Sequence, residues 1–240
     1  GAQVKFKVID NENDEIKVFT TRPDTLFGVT YVVLAPEHTL VDKITKPEFK
    51  IGVDAYREST KKLTEIERTS TVKEKTGVPT GAFAINPVNG EKIPVWIADY
   101  ALITYGTGCV MAVPAHDERD FEFAKKFNLP IRKVILQNGT NENDELKSAF
   151  TEVGAMINSG KFNGVQSDEG ITQVIKYLEE NNFGMGKINY RLRDWLISRQ
   201  RYWGTPIPII HCPTCGEVPV EENELPIELP YDVDFKLGGE

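Results

Sequence analysis

Apolar and polar positions alternate with a period of two at the start of the chain. Val4, Phe6 and Val8 fall on one side of an extended Gln3–Asp10, and Glu15–Thr20 repeats the pattern. The polar Asn11-Glu12-Asn13-Asp14 between them predicts a hairpin. Thr20–Gly28 follows, with Pro23-Asp24 as turn chemistry. Val29–Ala35 is an apolar run read as a strand. Pro36 opens a short helix to Ile44, and Pro47 opens another towards Arg68, with Gly52 a weak point. Thr76–Gly81 reads as turn and Ala82–Ile85 as strand. Asn86–Gly90 bends into a strand at Ile93–Ile97 that continues to Ile103.

In Tyr105–Phe123 the pattern changes three times. Gly106 and Gly108 punctuate a loop, Val110–Val113 predicts a strand that Pro114 stops, and a helix begins near Asp117. Glu118 and Asp120 occupy its first turn, Lys125 and Lys126 its last, and Asn128 and Pro130 close it. Arg132–Gln137 and Ser148–Val153 read as strands. Ile171, Val174, Ile175 and Leu178 recur at helical spacing in a helix that Ser167 or Asp168 caps and Gly184 ends. The predicted fold class is α+β: a closed or barrel-like, mostly antiparallel β core flanked by a few helices.

Composition narrows the class. The chain has 240 residues, room for one large or two small domains. No apolar run approaches the roughly 20 residues of a membrane span, and no signal peptide opens the sequence. Three cysteines, Cys109, Cys212 and Cys215, cannot form a disulfide framework, so a cytoplasmic location is expected. The net charge of −8 argues against a freestanding nucleic-acid binder, so any polyanion must meet a local patch. One such patch begins at Lys187. Arg191, Arg193, Arg199 and Arg201 interleave there with Tyr190, Trp195, Tyr202 and Trp203, a pattern open to phosphate contact or to a buried docking segment. The change of character at Lys187 divides the expected domains into 1–186 and 187–240. Both abrupt ends imply a piece of something longer.

Candidate chemistry falls in three places. The turn at Thr20–Gly28 gathers Thr20, Thr21, Thr25 and Arg22, whose groups could orient a sugar, an ester or a water; threonine is also common at strand ends. Asp117 and Asp120, three apart, share the start of a helix. Its free N–H groups and dipole would keep them ionised for a cationic group such as an ammonium. The plainer reading makes Asp117 a cap and Asp120 a solvated residue. His211-Cys212-Pro213-Thr214-Cys215-Gly216 is half of a zinc knuckle. Cys212 and Cys215 would need a second ligand pair from elsewhere, and a plain turn is the alternative.

Thr20–Gly28, Tyr105–Phe123 and Arg191–Ile207 together resemble the leucyl-tRNA synthetases of bacterial type. The first two are similar to the threonine-rich strand and Asp-bearing loop of the family's editing domain, an insertion called connective peptide 1. The third is similar to the return into the synthetic core. The resemblance covers nearly the whole chain, in the family's order.

The resemblance implies an aminoacyl-tRNA deacylase. It would hydrolyse the ester of a noncognate amino acid, of the norvaline, isoleucine or methionine class, on the 3′ terminal adenosine of tRNA(Leu). It implies that Asp120 holds the substrate ammonium and Thr25 blocks leucine. Met111 and Val113 line the pocket, Thr20 and Thr21 position water or the oxyanion, and Arg22 and Tyr105 contact the adenosine. His116 and Asp117 lie close by, His116 as a structural hydrogen bonder rather than a base. Editing needs no cofactor. ATP and magnesium belong to a synthetic domain whose signatures are missing here, and zinc stays open. The partners implied are mischarged tRNA(Leu) and the rest of the synthetase chain, with no membrane. A valyl- or isoleucyl-type editing domain, and a metal-dependent hydrolase using His116, Asp117 and Asp120, are the competing readings.

Overall fold

Alternation sets the first hairpin. The computed structural model describes residues 1–9, 14–64, 67–68, 75–137, 139–144, 146–190, 207–228 and 231–232. Within them β1 (Ala2–Val8) buries Ala2, Val4, Phe6 and Val8, and β2 (Glu15–Thr20) buries Ile16 and Val18 against them. The two run antiparallel with Val4 opposite Val18 and Phe6 opposite Ile16. The expected hairpin is present; its turn lies outside the described residues.

The central strands read differently because both their faces are covered. All four residues of β3 (Tyr31–Leu34) are buried. β5 (Lys92–Ala98) pairs with β3 in parallel, and β6 (Cys109–Ala112) pairs with it antiparallel. Val32, Leu34, Met111 and Val113 join one apolar cluster, with Phe6, Val18, Leu26 and Val95. Tyr31, Val33 and Ala112 join another on the opposite face, with Trp96, Tyr100 and Phe123. Helix α3 (Glu118–Lys126) covers that second face through Phe123 and Ala124. The first face is closed in part by α4 (Ser167–Glu180) through Val174 and Leu178.

The strand order is β2-β1-β4-β5-β3-β6, where β4 is Gly77–Ile85, and β9 (Gly184–Gly186) also pairs with β1. One large sheet in a mixed α+β fold agrees with the expectation. β2 and β6, the ends of that order, approach each other, but no ladder joins them among the described residues.

Several boundaries differ from the sequence reading. β4 runs through Gly77–Gly81, which reads as turn, because a register shift between Pro79 and Phe83 absorbs the missing proline N–H and the positive φ of Gly81. β5 stops at Ala98, and Asp99–Tyr105 is a chain of turns. Helix α2 (Pro47–Thr60) ends eight residues short of Arg68, after α1 (Leu40–Ile44). Ser148–Val153 is not a strand. The pair formed there is β7 (Ile135–Leu136) with β8 (Ala155–Met156).

Contacts divide the chain into two units, Gly1–Asn189 and Tyr190–Glu240. In the second, β10 (Ile209–Cys212) and β11 (Gly216–Pro219) form a hairpin. Its turn brings the Cys215 amide to 3.4 Å from Cys212 Sγ. Backbone N–H groups of Cys215 and Thr214 hold the Cys212 thiol below its ordinary pKa. Among the described residues no group of three or more His, Cys, Asp or Glu is arranged to hold a metal. The arginine and tryptophan stretch of 191–206 lies outside the described residues.

Candidate functional site

The threonine-rich turn folds into a 3-10 helix, Pro23–Gly28, all of it buried. Its entry is held locally. Thr20 Oγ1 accepts from Arg22 N at 3.0 Å, and Thr25 Oγ1 donates to the Arg22 carbonyl at 2.8 Å. The hydroxyl of Thr25, at 0 % exposure, is thus committed to its own turn. That bond fixes χ1 of an already stiff β-branched side chain. Thr21 is exposed. Asp24 was not among the expected site residues, yet it is fully buried and takes the Arg22 fork on both oxygens, with Nη2 at 2.8 Å. The signal was present in sequence: Arg and Asp flank one proline.

The Asp-bearing loop is a second knot. Asp117 caps α3, accepting from the amides of Arg119 at 3.0 Å and Asp120 at 3.2 Å, and pairs with the Arg119 guanidinium. Asp120 is different. It is 3 % exposed, and its Oδ2 accepts from Val113 N at 2.8 Å. The Tyr100 hydroxyl lies 3.4 Å from Oδ1, and the Tyr31 hydroxyl donates to the Asp120 carbonyl at 3.2 Å. Strand β3, the turn that follows β5 and the residue that follows β6 thereby meet at this one residue.

Two expectations are corrected here. Asp120 is neither solvated nor a freely ionised partner of Asp117. Burial, and next the charge of Asp117, push its pKa up to about 8, outweighing the Val113 amide, Arg119 and Tyr100. A helix start stabilises a carboxylate in water; without water, desolvation wins. Among the described residues no cationic side chain lies within ion-pair distance of Asp120.

His116 is fully engaged. Nε2 accepts from Val134 N at 3.0 Å and Ile135 N at 3.1 Å, so the proton is on Nδ1, which donates to the Phe150 carbonyl at 2.9 Å. Burial pushes its pKa down to about 4. The imidazole has neither a nitrogen for a metal nor a lone pair for a substrate proton.

These knots are connected. Arg22 Nη1 donates to the Thr151 carbonyl at 3.0 Å, and the neighbouring Phe150 bonds to Ala115 and His116. A Cβ on Gly28 would lie 2.8 Å from Val134, whose amide His116 holds. Thr30 N reaches the Ala112 carbonyl at 3.2 Å, beside Val113. Met111 and Val113 are buried on the face that carries Leu26 and Phe27. Tyr105 is exposed, on a loop whose Gly106 passes over Phe19, next to Thr20. The two stretches singled out in the sequence therefore converge on one region.

Residues 1–179 match the family model for the leucyl-tRNA synthetase editing domain. This chain belongs to that family. Residues 165–229 also match the model for class I tRNA synthetases of the I, L, M and V group. Over its whole length the chain is 60 % identical to a leucine–tRNA ligase of Clostridium tetani, where it covers 28 % of that protein. It is 54 % identical to the one of Trichodesmium erythraeum, covering 26 %. A LeuRS of Agrobacterium radiobacter K84, solved in a ternary complex with tRNA and LeuAMS, superposes with a TM-score of 0.60 at 40 % identity. That match takes in 96 % of this chain and 25 % of the other. The chain thus spans about a quarter of the length of the relatives it matches.

Proposed function

We propose that this chain is the hydrolytic proofreading unit of a leucyl-tRNA synthetase. It acts on the ester that joins a noncognate amino acid to the terminal adenosine of tRNA(Leu). The substrates are the norvaline, isoleucine and methionine class. Residues 1–186 hold the hydrolytic fold, and 187–240 lead towards the synthetic core. The observation that carries the reading is Asp120, a buried carboxyl that forms no ion pair among the described residues, in a chain of the editing-domain family. Such a group is costly to keep and is typical of functional sites. A substrate ammonium supplies the missing cation, favours the ionised form and so releases the proton of Asp120.

The chemistry is ester hydrolysis. Water attacks the carbonyl carbon, the bond to the ribose oxygen breaks, and a free amino acid and a ribose hydroxyl result. Thr20 and the exposed Thr21 orient the water or stabilise the oxyanion. Arg22 and Tyr105 hold the adenosine end, and Met111 and Val113 line the side-chain pocket. Thr25 presents its methyl as the obstacle to leucine. Discrimination by one methyl is worth only about 1–3 kcal/mol in a single pocket, a limit for which these synthetases are themselves the standard illustration. A second, hydrolytic pocket overcomes it.

A metal-dependent hydrolase built on His116, Asp117 and Asp120 is less well supported, because the ring nitrogens and the Asp117 carboxylate are already committed. ATP and magnesium serve the synthetic reaction. Cys212 and Cys215 can supply half of a tetrahedral thiolate set, and no step of the hydrolysis passes through it. The partners are tRNA(Leu) and the remaining synthetase chain, in the cytoplasm; among the described residues no helix is long and apolar enough to cross a membrane.

The test is deacylation. Norvalyl-tRNA(Leu) and isoleucyl-tRNA(Leu) should be hydrolysed and leucyl-tRNA(Leu) spared. Preference for a mischarged tRNA(Val) or tRNA(Ile), or activity lost to a chelator, would overturn the reading.

A further inference from the structure

Residues 146–153 have neither helix nor strand to hold them. Phe150 is nonetheless tied twice to one place. Its amide donates to the Ala115 carbonyl at 2.8 Å, and its carbonyl accepts from His116 Nδ1 at 2.9 Å. The far side of the same ring is anchored by the Val134 and Ile135 amides. The next carbonyl along, that of Thr151, is where Arg22 Nη1 lands at 3.0 Å. The other edge of the guanidinium is gripped by buried Asp24. Arg22 is therefore held from two sides, and one of them is a loop that His116 keeps in place.

We infer that His116 is a positioning residue for Arg22, acting through Phe150–Thr151. The inference rests on the reading of Arg22 as a contact to the adenosine end. The role explains the residue type. The position needs one donor and one acceptor on opposite sides of a flat ring, and a neutral imidazole supplies both. Burial keeps it neutral down to about pH 4, so the clip stays closed throughout the working range. Asparagine can mimic the donor nitrogen and glutamine the acceptor, but neither bridges all three segments. Loss of the clip frees the Thr151 carbonyl and leaves Arg22 anchored to Asp24 alone.

A double-mutant cycle tests this in the deacylation of norvalyl-tRNA(Leu). His116→Ala should raise KM about tenfold, the value of one well-placed hydrogen bond, with a smaller effect on kcat. Arg22→Ala should raise KM as well, and the double variant should be no worse than Arg22→Ala alone. His116→Asn should recover part of the loss. Equal, additive losses in both backgrounds would overturn the inference, as would a fall in kcat with KM unchanged. Should His116→Ala fail to fold, His116→Asn combined with Arg22→Lys gives the same cycle, since lysine keeps the charge but cannot span Asp24 and Thr151.

The resonance of the Arg22 Nη1 protons, on the nitrogen that meets the Thr151 carbonyl, provides a readout independent of activity. It should be sharp and protected in the parent and broadened in His116→Asn. An unchanged signal removes the coupling whatever the kinetics show. Arg22→Ala with unaltered deacylation would instead sink the adenosine reading and leave the coupling to be judged by that resonance.

Discussion

The amide of Val113 donates to the Asp120 carboxyl at 2.8 Å, joining the end of β6 to the first turn of α3. A side chain seven residues along the chain thus fixes the backbone that carries the expected pocket lining, and that backbone in turn aims the acid. With the Tyr100 hydroxyl on the other oxygen, the carboxyl has little freedom left.

Asp120→Asn preserves size and the acceptor for Val113 while removing the charge. Deacylation of norvalyl-tRNA(Leu) should fall by about two to three orders of magnitude, the cost of truncating a desolvated charge pair. The fold should persist by circular dichroism. Retained activity would remove Asp120 from the mechanism.

The same variant should change how stability depends on pH. The folded pKa of Asp120 is raised to about 8, so between pH 4 and 8 the folded state holds a proton that the unfolded chain has released. Its contribution is present at low pH and is lost as pH rises towards 8. His116, lowered to about 4, has the opposite sign: its contribution is lost as pH falls from about 6.5 to 4. Below pH 6.5 the two oppose each other, and above it Asp120 acts alone. Urea denaturation at pH 6.5 and 8 should show Asp120→Asn gaining on the parent by about 1.4 kcal/mol per pH unit at most. Parallel curves would contradict a raised pKa.

Tyr100→Phe keeps the ring against Phe123, an edge contact at 5.8 Å, and deletes only the hydroxyl. That hydroxyl favours the ionised form of Asp120. The acid limb of the deacylation pH profile should therefore move to higher pH, with the plateau rate little altered. An unmoved limb would show that the 3.4 Å contact carries no weight.

Thr25→Ala should admit leucine, read as hydrolysis of correctly charged leucyl-tRNA(Leu). It also deletes the bond to the Arg22 carbonyl and should cost about 1 kcal/mol of stability. Thr25→Val separates shape from hydroxyl. If the branched shape is the obstacle, valine should still exclude leucine.

Legibility in the sequence followed the physics of each element. The β1–β2 hairpin and α4 could be read because one face meets apolar neighbours and the other meets water. β3 could be read as an apolar run and α3 from its end signals, but the packing of α3 on the second face of β3 could not. β4 was mistaken in part for a turn, since Pro79 and Gly81 break strands unless a bulge takes them in. β9 has glycine at two of its three positions and no side-chain pattern to find. Its Gly184 is required because a Cβ would run into the Gln3 carbonyl. Asp117 as a cap followed from local rules, whereas the burial of Asp120 depends on Tyr31 of β3 and on Tyr100 in the turn after β5, both outside its own helix. The engagement of His116 depends likewise on amides eighteen and nineteen residues away.

The pairing of β9 with β1 sets Ala2 beside Gly186, and the Lys187 amide reaches the Gly1 carbonyl at 3.0 Å. A polypeptide that runs in at one and out at the other crosses the surface of this unit at a single doorway. Such a module can be grafted into a host protein, or excised from it, without prising the host's two junctions apart.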